Sequence, residues 1–169
     1  GHADAIERDP FVLTERCAAV SKISVVSRGT KALVGGLFGY DGLGHLEDCF
    51  AYSEITAAGA LLSVGGLVGE SWTQTVLDSV VKSVVAITPS EGQTVTYGGV
   101  AGFFEDSATA QGARFLTQSA TVPTVTGGTA VTAENLASAT WYQTALGWND
   151  SAWYDSAIAV LDQYSYPTE

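Results

Sequence analysis

Gly35-Gly36-Leu37-Phe38-Gly39, Gly65-Gly66-Leu67-Val68-Gly69 and Gly98-Gly99-Val100-Ala101-Gly102 share one pattern: a glycine pair, two mostly apolar residues and a third glycine, about every thirty residues. Repetition at that period marks a solenoid, whose units are too small to fold alone and bury their apolar faces against their neighbours. No Gly-Lys-Ser/Thr follows these glycines, and they match neither the phosphate loop nor the dinucleotide fingerprint. They are read as a device for bending and stacking backbone.

An alternating strand precedes each glycine stretch. Every second residue from Cys17 gives Cys17, Ala19, Ser21, Ile23; from Cys49 it gives Cys49, Ala51, Ser53, Ile55; from Val81 it gives Val81, Ser83, Val85, Ile87. Small or apolar side chains recur in these sets, whereas the charges fall in the intervening ones, with Lys22, Glu54 and Lys82. Period two is the mark of a strand with one buried face. The offset between these starts is 32 residues on both occasions, so equal positions are expected to stack in columns between parallel strands.

The rest of each unit completes a coil. Turns of variable content follow the strand (Ser27-Arg28-Gly29-Thr30, Ala57-Ala58-Gly59-Ala60, Pro89-Ser90-Glu91-Gly92). A second strand should carry the glycines, and Leu46-Glu47-Asp48 or Leu77-Asp78-Ser79 a third, giving three faces per coil. Val76 to Val85 also spaces its apolar residues as a helix would, but its many valines and its alignment with the other units favour strand. A fourth pass is degenerate: Phe115, Thr117, Ser119 and Thr121 alternate and Gly127-Gly128 follows, but Val131 replaces the third glycine.

The flanks read as covers. Residues 1–16 form an N-terminal capping segment in which Phe11-Val12-Leu13, after Pro10, suits an edge strand; Gly1-His2 is left out of the fold argument. Residues 17–131 are the repeats, and residues 132–169 a C-terminal cap. Thr132 is a good N-cap residue, and Leu136, Ala139 and Ala145 could share one face of a short helix stopping near Gly147. Trp141, Trp148, Trp153, Tyr154, Tyr164 and Tyr166 crowd the tail. Rings that close a solenoid end explain this density better than a sugar site does. The fold class expected is all-β, a parallel β-helix of about three to four coils with a short helical, aromatic-rich cap.

Composition narrows the function. The 169 residues carry a net charge of −11 with seven Lys and Arg, so there is no basic stripe for nucleic acid or an anionic membrane. No apolar run approaches a membrane span. The chain has no Met and is expected to be a processed protein or an excised domain.

The Gly-Gly-Leu-Val-Gly repeat behind a Cys-x-Ala-x-Ser-x-Ile strand resembles the GLUG-motif repeats of bacterial surface proteins, among them IgA-specific metallopeptidases and large adhesins. The tail, with Leu136, Trp141-Tyr142, Leu146-Gly147-Trp148, Trp153 and Tyr166-Pro167, looks like the segment that closes such arrays. The likeness covers Cys17 to Pro167. It implies a right-handed parallel β-helix on a bacterial cell surface or secreted. Flanking domains of a larger protein would be its partners, with a host protein or glycan as target. The third unit departs from the pattern, with Val81 in place of Cys and Val100-Ala101 in place of Leu-Val.

The resemblance does not bring peptidase chemistry with it. A His-Glu-x-x-His zinc site needs two histidines one helical turn apart, and the chain has only His2 and His45. A serine triad would need His45 as base, and Gly69-Glu70-Ser71-Trp72-Thr73 lacks the second glycine of a nucleophile elbow. Glu47-Asp48 and Glu105-Asp106 are the carboxylate pairs a glycan-acting enzyme could use, but strand neighbours point to opposite faces. Asp41, Asp48 and Asp106 form no spaced calcium loop. No catalytic, cofactor or metal residue is assigned.

Thr94-Val-Thr96 and Thr124-Val-Thr126 could begin a regular ice-binding array, but they do not recur in every coil. Cys17 and Cys49 invite a disulfide, yet stacked parallel neighbours lie only about 4.8 Å apart at Cα with parallel side chains. Stacked free thiols are favoured, with a strained bridge as the alternative. The function expected is a non-catalytic spacer or adhesive module, with a peptidase accessory domain as one setting; a lyase or hydrolase acting on extracellular glycans is the alternative.

Overall fold

A computed structural model of the chain describes residues 2–3, 12–42, 44–72, 75–105, 108–119 and 127–164. Two short strands, β1 (His2–Ala3) and β2 (Val12–Glu15), precede three turns of the solenoid. The first turn runs through β3 (Ala18–Ser27), β4 (Ala32–Gly35), β5 (Phe38–Asp41) and β6 (Gly44–Glu47). The second repeats it with β7 (Phe50–Gly59), β8 (Leu62–Gly65), β9 (Val68–Ser71) and β10 (Thr75–Leu77), and the third with β11 (Val80–Pro89), β12 (Val95–Gly98), β13 (Ala101–Phe104) and β14 (Thr109–Gln111). A partial fourth pass adds β15 (Arg114–Ser119) and β16 (Thr129–Ala130); three helices follow, α1 (Ala133–Leu136), α2 (Ala139–Ala145) and α3 (Ser151–Gln163).

Equivalent strands stack into four parallel sheets: β3-β7-β11-β15-β16, the long sheet; β4-β8-β12; β1-β5-β9-β13; and β2-β6-β10-β14. The β-solenoid expected from the repeat is therefore present. It has four strands per turn rather than the three faces expected. The glycine stretch accounts for the extra strand, since its first glycine ends one strand and its third lies inside the next, with a sharp corner between. A Cβ on Gly36 would lie 2.4 Å from the Gly66 carbonyl oxygen and 2.9 Å from Ser53 Cβ. Only glycine lets the corner approach both the next coil and the opposite wall. The third glycine brings two sheets together, because a Cβ on Gly69 would fall 2.5 Å from Val34 N.

That corner divides the interior. Ser21, Ser53, Ser83 and Thr117 form one column of the long sheet, and Ser21 and Ser53 donate across the coil to the carbonyls of Gly36 and Gly66 (3.3 and 3.1 Å). On one side of the pinch lie Ile55, Ala57, Leu62, Val64, Val85 and Tyr97; on the other, Leu46, Ala51, Leu67, Val68, Val76 and Val81. Each buried Ile or Val contributes about 2 kcal/mol of apolar transfer. The column repeats that contribution coil after coil.

The register corrects one alignment. Ala19 pairs with Ala51, an offset of 32, but Ala51 pairs with Val81, an offset of 30. The partner of Cys49 in the third coil is thus Ser79, not Val81, and Ile55 stacks on Val85 while Ile87 stacks on Ala57. The turn between β7 and β8 is two residues shorter than that between β3 and β4. A two-residue change preserves which side chains point inward, so the buried face was read correctly although the column partners were not.

Other expectations are refined at the ends. His2, set aside with Gly1 from the sequence, forms β1 with Ala3, and the two pair with Tyr40 and Asp41. Val12 and Leu13 lie in an edge strand, as expected; residues 4–11 lie outside the described residues. Gly127-Gly128 leads into β16, on the long sheet, and is not a fourth copy of the glycine corner. Thr121 and Thr124 to Thr126 lie outside the described residues. The tail is helical and aromatic as expected, but it lies on the outward side of the long sheet instead of over the end of the stack. There it buries Phe50, Tyr52 and Val80 beneath Leu136, Tyr142, Leu146, Trp148, Ala157 and Leu161.

Candidate functional site

A column of left-handed corners lies just ahead of the long strands. Arg16, Asp48, Asp78 and Gly112 have φ of 53°, 53°, 40° and 71°. The residues that follow, Cys17, Cys49, Ser79 and Ala113, continue the column into the coil interior. The Cys17 N–H donates to Cys49 Sγ (3.4 Å) and the Cys49 N–H to Ser79 Oγ (3.0 Å). In turn Cys49 Sγ donates to the Glu47 carbonyl (3.2 Å), and Ser79 Oγ to that of Leu77 (2.7 Å). Thiol and hydroxyl thus do one job, joining coils where the backbone turns. Both cysteines are free, and burial pushes the Cys49 thiol up to about 12.

The helices clamp this column. Trp153 Nε1–H donates to the Asp48 carbonyl (2.8 Å) and Trp148 Nε1–H to that of Asp78 (2.9 Å). Arg16 bonds the Asp150 carboxylate (3.0 Å), and Arg114 bonds the carbonyl of Ala145 (3.3 Å). Three successive corners, and the start of β15 after the fourth, are therefore held from outside by one helical tail. Its local chemistry is legible: Thr132, Ser138 and Asp150 cap the three helices, and Gly147, at φ 72°, follows the end of α2. Tyr164 stacks on Tyr52 with ring centroids 4.4 Å apart, and Trp153 packs on Phe50 at 4.9 Å. These rings are packing, with the polar edges of Trp148 and Trp153 satisfied by backbone. Lys82, buried on the long sheet, donates to the Leu161 carbonyl at 2.6 Å, near the carbonyl end of α3. Burial lowers its proton affinity.

The acids considered from the sequence do not converge. Asp48 is a corner residue whose proton affinity is raised by burial and then by Glu47, and Glu105 follows β13 on another sheet; Asp106 lies outside the described residues. Among the described residues no group of three His, Cys, Asp or Glu could hold a metal. His45 is half-buried on β6, and its charge acts on Asp41, which burial pushes up to about 6. Ser71 is wholly buried, so its hydroxyl cannot reach a substrate. Thr96 stacks on Ser63, which stacks on Leu33, so Thr-x-Thr builds no regular array.

Sequence reading missed an ion pair between Lys31 and the buried carboxylate of Glu70. Lys31 also lies 5.3 Å from the centre of the Phe103 ring. With Leu61, Leu62, Thr94 and Thr96 these residues line a mostly apolar groove of about 180 Å³. Alternation assigns a strand residue a face and says nothing of a lysine reaching it from a turn, so no local signal marked the pair. No family model, curated protein or solved structure matches the chain.

Proposed function

We propose that the chain is a non-catalytic extracellular module of a bacterial surface protein, a rigid spacer that presents a binding surface to a host protein or glycan. The observation that supports this reading most is the in-register stacking of the three coils, with three corners clamped by the tail. Side chains able to do chemistry are spent on that architecture: Cys49, Ser79 and Lys82 all join coils or helices. In such a stack each coil is stabilised by its contacts with its immediate neighbours. The likeness to GLUG repeats adds the surface setting, including an accessory role beside a peptidase.

Incubation with a panel of extracellular polysaccharides and host glycoproteins tests the proposal. Retention of the chain on one or more of them, with no new reducing ends and no peptide cleavage, is the expected result. Release of reducing ends would replace it with the glycan-acting enzyme reading. Antibodies against the module should label intact cells of the source organism; labelling only after lysis would overturn the extracellular setting.

A further inference from the structure

The ten residues of β3 form one edge of the long sheet, and among the described residues no strand lies beyond them. The inward side chains Ala19, Ser21, Ile23 and Val25 are half-buried, whereas their partners on β7 are buried. Outward, Val20 and Val26 are 50% and 64% exposed. The Phe50 N–H donates to the Cys17 carbonyl (3.0 Å). Backbone groups alternate sides along a strand, so the odd residues of β3 bond β7. The N–H and C=O groups of Ala18, Val20, Lys22, Ser24 and Val26 point to the open side. An edge of this length is a template for a further strand.

Charge selects the occupant. The chain carries −11, but its first coil sets Arg16, Lys22, Arg28 and Lys31 against Glu15, Asp41 and Glu47. The second coil holds Asp48, Glu54, Glu70 and Asp78, and residues 132–164 hold Glu134, Asp150, Asp155 and Asp162, with no Lys or Arg in either. Two copies therefore repel least where their first coils meet. Lys22, the charge that would guard the edge, bonds Glu54 of the second coil (3.0 Å) instead.

We propose that the chain forms a two-fold dimer in which β3 pairs antiparallel with β3 of a second copy, continuing the long sheet across both. Inward side chains must stay on one face, and two such registers keep nearly the whole strand paired. One sets Lys22 directly against Lys22 of the second copy, a destabilising like-charge pair. The other centres the axis on Ile23. It sets Lys22 against Ser24 of the second copy and Val20 against Val26 of the second copy, so the exposed valines cover each other. This second register is the one assigned. A single strand pair lies at the small end of specific interfaces, so the dimer is weak and exchanges readily.

Sedimentation velocity over a concentration series tests the dimer. Wild type should pass from monomer to dimer. Val26→Lys, at an exposed position, should keep its circular dichroism and weaken association by about tenfold or more. Trp72→Lys, at another exposed apolar residue, should leave association unchanged. Cross-linking reads the register. In a Cys17→Ser background, oxidation of Val20→Cys mixed with Val26→Cys should give a disulfide-linked dimer, since directly opposed residues meet disulfide geometry. Neither variant should link to itself, because like positions lie about 20 Å apart at roughly 3.3 Å per residue. A chain that stays monomeric at every concentration, an equal loss with Trp72→Lys, or self-linking of Val20→Cys would overturn the proposal. Should Val26→Lys fail to fold, the cross-linking mixture decides the matter alone.

Discussion

The indole N–H of Trp153, on α3, donates to the backbone carbonyl of Asp48, 2.8 Å away and 105 residues earlier in the chain. Asp48 is a left-handed corner of the solenoid, so the helix holds the coil at a position whose backbone conformation is unfavourable for most residues. Trp153→Phe keeps most of the ring and removes the donor. It should cost about 1–2 kcal/mol in urea unfolding, and Trp148→Phe, at the Asp78 corner, about the same. A loss near zero for both would show that the tail is only laid against the sheet.

The column Cys17, Cys49, Ser79 predicts which substitutions the corner tolerates. Cys49→Ser places in the second coil the residue the third already uses, and should change stability by less than about 1 kcal/mol. Cys49→Val leaves the Cys17 N–H without its acceptor and should cost about 2 kcal/mol. Thermal unfolding of the pair reads the difference.

Thiol labelling addresses the same column. Cys49 is buried, and its high proton affinity keeps it as the unreactive thiol at neutral pH. The native protein should take up label at Cys17 alone, and both thiols should react after denaturation. A pair that reacts only after denaturation with reductant would mean that a disulfide had formed.

The glycine corner makes a contrast. In Gly66→Ala the new Cβ would lie 2.4 Å from the Gly99 carbonyl oxygen and 3.1 Å from Val81 Cγ2. That overpacking should cost about 3 kcal/mol or more. Gly29→Ala has open space but a φ of 113°, and should cost about 1–2 kcal/mol. Similar losses for both would mean that the corner relaxes around an added methyl.

Ile55 and Glu54 test the register on one strand. Ile55 is 2% exposed in the apolar compartment, so Ile55→Asp should unfold the module cooperatively. Glu54 points outward to an exposed Lys22 (3.0 Å) and accepts from the Tyr52 hydroxyl (3.1 Å). Glu54→Ala should cost at most about 1 kcal/mol. Circular dichroism of the two variants side by side makes the comparison.

Repetition made most of the architecture readable. Ala19, Ser21 and Ile23 reappear as Ala51, Ser53 and Ile55, and period two alone says which of them face inward. Gly35-Gly36 and its copies marked the bend. Column partners in the third coil were harder, because the shortened turn before β8 shifts the register by two residues without altering the inward face. The alternation of Val81, Ser83 and Val85 is the same in either register, so Ser79 as the counterpart of Cys49 was invisible.

The candidate sites were less legible for a similar reason. Lys31 with Glu70 and Lys82 with Leu161 join residues separated by 39 and 79 positions, and no local pattern records such a meeting. The tail shows the same division. Thr132, Ser138 and Gly147 announce helix ends by local hydrogen bonding and backbone preference, which belong to a few adjacent residues. Where the helices would lie was decided by the outward side chains Phe50, Tyr52 and Val80, whose burial required a partner from elsewhere in the chain. By itself the sequence determined the solenoid, its inward faces and its bends, because these follow from short-range periodicity and sterics. Only the tertiary structure decided the four strands per turn, the stacked corners and their clamp, and the buried Asp41, because these depend on which distant surfaces meet.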